Sequence, residues 1–80
     1  MKEEILKIIK KACALEEEVY EDSILSELSL DSFSFVEVLL EIEETFGVEF
    51  DVDELGVFNW EKVEEIIKNV EEKINEKQEN

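Results

Sequence analysis

The chain has 80 residues and a formal net charge of −16 at neutral pH, with 24 acidic residues against eight basic ones. This length predicts one small domain over residues 1–80, which leaves no room for a substrate domain beside a cofactor domain. The acidic balance argues against nucleic acid or anionic membranes as partners, and we expect neither a membrane-spanning segment nor a signal peptide.

The negative charge is concentrated in the middle of the chain. All eight basic residues are lysines, none of them lies between Ala12 and Glu61, and this interval carries 16 of the 24 acids. Such a surface favours fast association with basic protein surfaces, although the same charge can serve solubility alone. The single cysteine excludes an internal disulfide and fits a reducing compartment, so we expect a cytoplasmic protein. The small size and the self-repulsion of the chain favour a monomer.

The first two long helices are predicted from apolar spacing and from capping residues. The first helix runs from Lys2 to Leu15, because its apolar residues recur at helical spacing. The segment from Glu16 to Asp31 has no clear period, but it carries enough apolar residues to pack against the helices. The second helix runs from Ser32 to Phe46, between the capping pair Asp31–Ser32 and Gly47.

The rest of the chain predicts an extended connection, a short helical turn and a third long helix. The turn is placed near Asp53–Val57, and the third helix begins near Asn59 or Trp60, with Asn59 as its cap. Its apolar stripe consists of Val63, Ile66, Ile67, Val70 and Ile74. We expect residues 75–80 to fray. The predicted fold is therefore all-α, a small bundle of three long helices plus a short helix before the last.

The second helix carries two separate apolar faces. At about 100° per residue, the core face holds Phe35, Val38, Leu39, Ile42 and Phe46. A second face, which we call the apolar strip, consists of Phe33, Val36 and Leu40 and is bordered by Glu37, Glu43 and Glu44. Since a bundle of this size needs one core face, the strip and its acids are predicted to dock a partner. The alternative is that the long segment before the helix covers the strip.

The chain offers little catalytic chemistry of its own. It has no histidine and no arginine, which excludes Ser-His-Asp and Cys-His arrangements. Cys13 is interpreted as a buried, inert thiol, and the carboxylates as solvated rather than paired for catalysis. The stretch Asp51–Gly56 imitates the start of a calcium loop, but Lys62 stands where a bidentate glutamate is required. No metal site is therefore expected.

Ser32 stands at a helix N-terminus, where unpaired amides and the helix dipole favour an attached phosphate. The stretch LSLDSFSFVE, followed by LLEIEETFGVEF, resembles the acyl carrier protein family around its phosphopantetheine attachment site. That family's pattern is a leucine-rich approach, then Asp-Ser-apolar, then a helix ending Glu-Glu-x-Phe-Gly. A second pair, Asp22–Ser23, lacks the following helix. The family's usual glycine two residues before the aspartate is Ser29 here.

The resemblance implies that Ser32 receives 4′-phosphopantetheine from coenzyme A through a phosphopantetheinyl transferase, with Asp31 helping to position metal and serine. The thiol of this arm would carry acyl groups as thioesters to basic-surfaced acyl transferases, synthases or ligases of fatty-acid or polyketide-type synthesis. The chain itself would catalyse nothing.

The family's other functional positions also have counterparts in this sequence. The resemblance implies that Phe33 touches partner enzymes. It implies that Glu37, Glu43 and Glu44 meet basic grooves. The core residues Phe35, Leu39, Ile42 and Phe46 would lie near the place where the family shelters an acyl chain.

Two alternatives remain open at this stage. Asp-Ser-Phe also resembles the D-alanyl carrier proteins, and Trp60 echoes a tryptophan found there, although simple packing at the start of the last helix is the favoured interpretation of Trp60. Other aminoacyl or peptidyl carriers belong to the same alternative. An unmodified acidic adaptor, which docks through the apolar strip alone, is an alternative of a different class.

Overall fold

The structure, a computed structural model, describes residues 1–15, 17–55 and 60–79. Within these residues the helices are α1 (Lys2–Ala12), α2 (Ser32–Phe46) and α3 (Val63–Glu79). Short 3₁₀ turns occupy Leu25–Glu27 and Val52–Glu54, and the described residues form no strand beyond an isolated bridge between Ile24 and Lys62. The all-α prediction is confirmed. The turn at Val52–Glu54 overlaps the predicted short helix, whose last residues, together with the predicted cap Asn59, lie outside the described residues.

All three helices contribute to one apolar core, in which α1 lies against α2 and α3. The core face of α2 is buried as predicted from Phe35 to Ile42, whereas Phe46, at the end of the face, is half-buried. The segment between α1 and α2 also packs down, since Leu25 is 1% exposed and Val19 is 7% exposed. No helix in the described residues is long and apolar enough to span a membrane.

Both ends of α2 are set by the residues that adjoin the helix. Asp31 caps the N-terminus, and its Oδ1 accepts the backbone N–H of Ser34 at 2.7 Å. Gly47 follows the helix in the left-handed conformation, with φ of 67°, and its N–H donates to the carbonyl of Glu43 at 2.8 Å. This conformation favours glycine, so both predicted boundaries of α2 are confirmed.

The first helix ends earlier than predicted. It stops at Ala12 rather than Leu15, and Cys13 takes an extended backbone. The next amides bond to a distant residue, because the N–H groups of Ala14 and Leu15 donate to the carbonyl and the hydroxyl of Ser29. A long-range contact therefore ends α1.

The last helix starts later than predicted, at Val63 rather than near Trp60. The amides of Val63 and Glu64 donate to the carbonyls of Ser23 and Glu21, at 3.0 and 2.8 Å. The carboxylate of Glu65 in turn accepts N–H groups from the two residues that precede the helix. Because the acceptors for its first amides belong to a remote segment, the start of α3 was not visible in local sequence. At its other end α3 continues to Glu79, beyond residue 75, where the sequence predicts fraying. Within this last part, Lys77 Nζ donates to the carbonyl of Gly47.

Candidate functional site

Ser32 is the first residue of α2, and its side chain is exposed. The backbone N–H of Ser34 donates to Asp31, and this bond is the main reason that the pKa of Asp31 lies below its ordinary value. Asp31 is therefore an ionised cap that is bonded to the helix it opens. The Ser32 hydroxyl lies at the positive end of the α2 dipole, where an attached anionic group is stabilised.

The chain that leads into Ser32 is held by four hydrogen bonds at Ser29. Its N–H donates to Glu17 Oε1 at 2.6 Å, and its hydroxyl donates to Glu17 Oε2 at 3.2 Å. The same hydroxyl accepts the N–H of Leu15 at 3.0 Å, and the Ser29 carbonyl accepts the N–H of Ala14 at 3.0 Å. We call this set the Glu17–Ser29 clamp. Sequence reasoning missed it, because Glu17 is one of three consecutive glutamates and Ser29 was noted only as a departure from glycine.

The apolar strip is largely open to solvent. Phe33 is 73% exposed and Leu40 is 46% exposed, while Val36 is half-buried. The segment before α2 packs into the core through other residues and leaves Phe33 and Leu40 uncovered. An apolar surface of this kind on the same helix as Ser32 has the character of a docking surface.

The three acids beside the strip differ in their surroundings. Glu37 and Glu44 are exposed. Glu43 is half-buried, and its Oε2 accepts the backbone N–H of Phe50 at 2.6 Å. Glu43 therefore holds the chain after α2 in place, whereas the other two carboxylates are available at the surface.

The predicted acyl-pocket residues lie on the opposite, core side of α2. Phe35, Leu39 and Ile42 are each 0% exposed, and Phe46 packs against the same core while remaining half-buried. The structure thus separates the two phenylalanines near Ser32, with Phe35 in the core and Phe33 in solvent.

Glu54 joins the turn at Val52–Glu54 to α3. Its carboxylate accepts hydrogen bonds from Asp51 N at 2.8 Å, Asn69 Nδ2 at 3.0 Å and Lys73 Nζ at 3.1 Å. Burial raises the pKa of Glu54, but these three donors outweigh the burial, so the pKa lies below its ordinary value. Sequence reasoning did not single out this residue, since nothing local distinguishes it from its acidic neighbours.

Trp60 packs where the chain approaches α3. Its Nε1–H donates to the carbonyl of Glu54 at 2.7 Å, and its ring meets the Phe50 ring edge-on with centroids 6.4 Å apart. Lys73 Nζ lies 5.3 Å from the Phe50 ring centroid. These contacts give Trp60 a packing role before α3, in agreement with the favoured interpretation.

Cys13 is buried beneath the Glu17–Ser29 clamp, with 3% exposure. Burial raises the pKa of its thiol, and the negative charge of Glu17 raises it further. Hydrogen bonding by Ser29 lowers the pKa, but the net shift is upward. The thiol is therefore protonated and protected from solvent. This agrees with its interpretation as an inert core residue.

Comparison with models of protein families shows the family of this chain. Residues 3–70 match the family model described as the phosphopantetheine attachment site. The chain belongs to this family. Phosphopantetheine-attachment proteins have 4′-phosphopantetheine as their prosthetic group, and the resemblance noted in the sequence is confirmed.

The curated proteins to which this chain is similar include D-alanyl carrier proteins of Streptococcus pyogenes. Those of serotype M5 (strain Manfredo), serotype M49 (strain NZ131) and serotype M1 are each 40% identical over 43 residues. The match covers 54% of this chain and 54% of each relative, so the chain spans about half the length of the curated relatives it matches. No solved structure matches.

The residues at the start of α2 fit the family's prosthetic group. Ser32 is exposed and opens a helix whose cap is already formed by Asp31. By contrast, the hydroxyl of Ser23, in the second Asp-Ser pair, accepts the N–H of Tyr20 at 2.8 Å within a turn. Of the two Asp-Ser pairs, only the one at Ser32 combines an exposed hydroxyl with a helix N-terminus.

Proposed function

We propose that this protein is a carrier that bears 4′-phosphopantetheine on Ser32. The observation that carries the proposal is the exposed Ser32 hydroxyl at the capped N-terminus of α2, in a chain that belongs to the phosphopantetheine attachment family. When bound, the group supplies the thiol on which cargo travels as a thioester. The chain itself presents the arm, and partner enzymes carry out the chemistry.

Each residue near Ser32 has a distinct role in this proposal. Asp31 holds the first turn of α2, which begins at Ser32, through its bond to Ser34. Phe33, Val36 and Leu40 contribute apolar contact area to a partner. Glu37 and Glu44 pair with basic groups of that partner, while Glu43 contributes less because its Oε2 is bonded to Phe50.

The partners in this proposal are a phosphopantetheinyl transferase and cargo-handling enzymes with basic docking surfaces. The interval between Ala12 and Glu61 has no basic residue, so every charged side chain that α2 itself presents to the basic surface of a partner is negative. This attraction predicts association that slows as salt is added.

For the cargo, the similarity to D-alanyl carrier proteins favours a small aminoacyl group, of which D-alanyl is the first candidate. A fatty-acyl or polyketide cargo is the second candidate, supported by the resemblance of the stretch around α2 to acyl carrier proteins. Loading by a D-alanine-activating ligase, compared with loading by a malonyl transferase, separates the two.

Intact mass after coexpression with a promiscuous phosphopantetheinyl transferase tests the attachment itself. The wild-type chain should gain one phosphopantetheine, Ser32→Ala should gain none while keeping its helical circular dichroism, and Ser23→Ala should gain one as the matched control. A wild-type chain that stays unmodified would favour the unmodified acidic adaptor instead.

A further inference from the structure

A carboxylate outside the attachment site holds the chain that leads into it. Glu17 uses both of its oxygens on Ser29, one on the amide and one on the hydroxyl, at 2.6 and 3.2 Å. We propose that Glu17 is a positioning residue for the attachment of phosphopantetheine, an inference that rests on the proposed function. It holds the chain before α2 so that the Ser32 hydroxyl meets coenzyme A in a fixed orientation on the transferase.

The clamp satisfies every polar group of Ser29. The hydroxyl has one donor, which Glu17 takes, and one of its acceptor sites takes the N–H of Leu15. The N–H donates to Glu17, and the carbonyl accepts the N–H of Ala14. Of the four bonds, two need the Glu17 carboxylate and two need the Ser29 hydroxyl, with one bond common to both sets. Removing either side chain therefore loosens the junction without removing any core residue.

The clamp lies close enough to Ser32 to control it. Only Leu30 and Asp31 separate Ser29 from Ser32, and the N–H of Leu30 already bonds to the carbonyl of Leu28 at 2.8 Å. A connection of three residue steps spans at most about 11 Å, so a displacement at Ser29 reaches the first turn of α2 directly. A shift of about 1 Å in a reacting group can slow a reaction by as much as about 100-fold.

The reaction that Glu17 assists is a phosphoryl transfer to Ser32. The Ser32 oxygen forms a bond to the phosphorus of the pantetheine phosphate of coenzyme A, and the bond from that phosphorus to the adenosine-side phosphate breaks. Adenosine bisphosphate leaves, and the hydroxyl proton passes to the transferase or to water. This in-line displacement depends on the direction of the attacking oxygen, which is the property that the clamp controls.

The chain supplies a matched control and an internal reporter. Glu18 is the next acid along the chain, and its carboxylate is exposed and pairs with Lys10 at 2.9 Å. Replacing Glu18 removes the same charge without touching Ser29. Cys13 is the only cysteine and is 3% exposed beneath the clamp, so its reaction with a thiol reagent reports opening at this point in the unmodified protein.

The test measures kcat and KM for phosphopantetheine transfer to the unmodified carrier, well below its melting temperature. For Glu17→Ala we expect kcat to fall about tenfold while KM changes less than about twofold, because the apolar strip that docks the transferase is intact. Ser29→Ala should lower kcat in the same direction. Cys13 should react faster in Ser29→Ala, where the charge of Glu17 remains and the loss of the Ser29 hydrogen bond does not favour the thiolate, so the faster reaction reports opening. Glu18→Ala should match the wild-type chain in all three measurements.

Two conservative variants separate geometry from charge. Glu17→Gln keeps the reach and an oxygen that accepts the Ser29 N–H, so it should restore most of the rate. Glu17→Asp keeps the charge but is one methylene shorter, so it should stay slow. If Glu17→Ala does not fold, this pair and Ser29→Ala decide the question.

An unchanged kcat in folded Glu17→Ala overturns the inference, even if the melting temperature falls, because that result describes a purely structural contact. A fast Glu17→Asp beside a slow Glu17→Gln also overturns it, in favour of charge. Failure of the wild-type chain to accept phosphopantetheine refutes the proposed function instead, so the two failures are distinguishable.

Discussion

Two adjacent leucines on α2 test whether the apolar strip serves docking rather than folding. Leu39 is 0% exposed in the core and Leu40 is 46% exposed in the strip. Truncating each to alanine removes the same three carbon atoms from the same helix. Alanine and leucine also differ little in helix propensity, so local helix formation does not confuse the comparison.

The expected loss in unfolding free energy for each variant follows from how deeply the truncated side chain is buried. Each fully buried methylene contributes about 0.8 kcal/mol, so three of them contribute about 2.4 kcal/mol, and the cavity left at Leu39 raises the total loss to about 3–5 kcal/mol. Leu40 is only about half removed from water, so truncating it loses about half of this transfer energy, and solvent fills the space that is left. The expected loss in unfolding free energy is therefore about 1 kcal/mol. Ile42→Val is a milder core control, with an expected loss of about 0.5–1.5 kcal/mol.

Urea unfolding followed by helical circular dichroism measures the free energy of unfolding of each variant. The rate at which a partner enzyme loads or unloads the modified carrier gives the second readout. We expect Leu40→Ala to slow this rate more than its stability loss explains, while Ile42→Val lowers stability with little change in rate. The reasoning is wrong if Leu40→Ala is as destabilising as Leu39→Ala, or if the partner processes it at the wild-type rate.

Substitutions at three further residues test the two ends of α2 and the response of the fold to acid. Asp31 and Glu54 have folded pKa values below their ordinary values of 3.8 and 4.5, so the stability they contribute is present above those values and is lost as the pH falls through the lower folded pKa. Asp31→Asn keeps a side chain that can cap the helix but removes the ionisable group, and Glu54→Gln removes the other ionisable group. The unfolding free energy, measured from neutral to acidic pH, should therefore depend less on pH in each variant than in the wild-type chain. Gly47→Ala should lower the unfolding free energy by about 1 kcal/mol because φ is 67°, whereas Gly47→Asn should lower it less. A clash with a neighbouring side chain does not contribute, because an added Cβ would lie 3.5 Å from Lys77 Nζ, an ordinary contact. Equal losses for alanine and asparagine would contradict this account.

The features that sequence reasoning predicted correctly are those with local causes. The boundaries of α2 depend on Asp31 and Gly47, which adjoin the helix, and its core face follows from helical spacing alone. The separation of Phe33 from Phe35 has the same origin, since two residues along a helix point in different directions.

The features that it missed depend on contacts between distant residues. The end of α1 is set by Ser29, and the start of α3 by the carbonyls of Glu21 and Ser23. Glu17 and Glu54 each hold a connection in place, but 24 acids look alike in a sequence, and only the folded chain shows which of them meet backbone donors.

The pairing between the segment before α2 and the start of α3 makes distant parts of the carrier mechanically dependent on each other. The N–H of Leu25 bonds to the carbonyl of Glu61, and the N–H of Val63 returns to the carbonyl of Ser23. If Ser32 bears the arm as proposed, a partner that pulls on the arm strains a chain that is hydrogen-bonded to the start of α3, so the force is shared between the two segments. A fragment that omitted residues 21–25 would therefore leave the first amides of α3 without their hydrogen-bond acceptors.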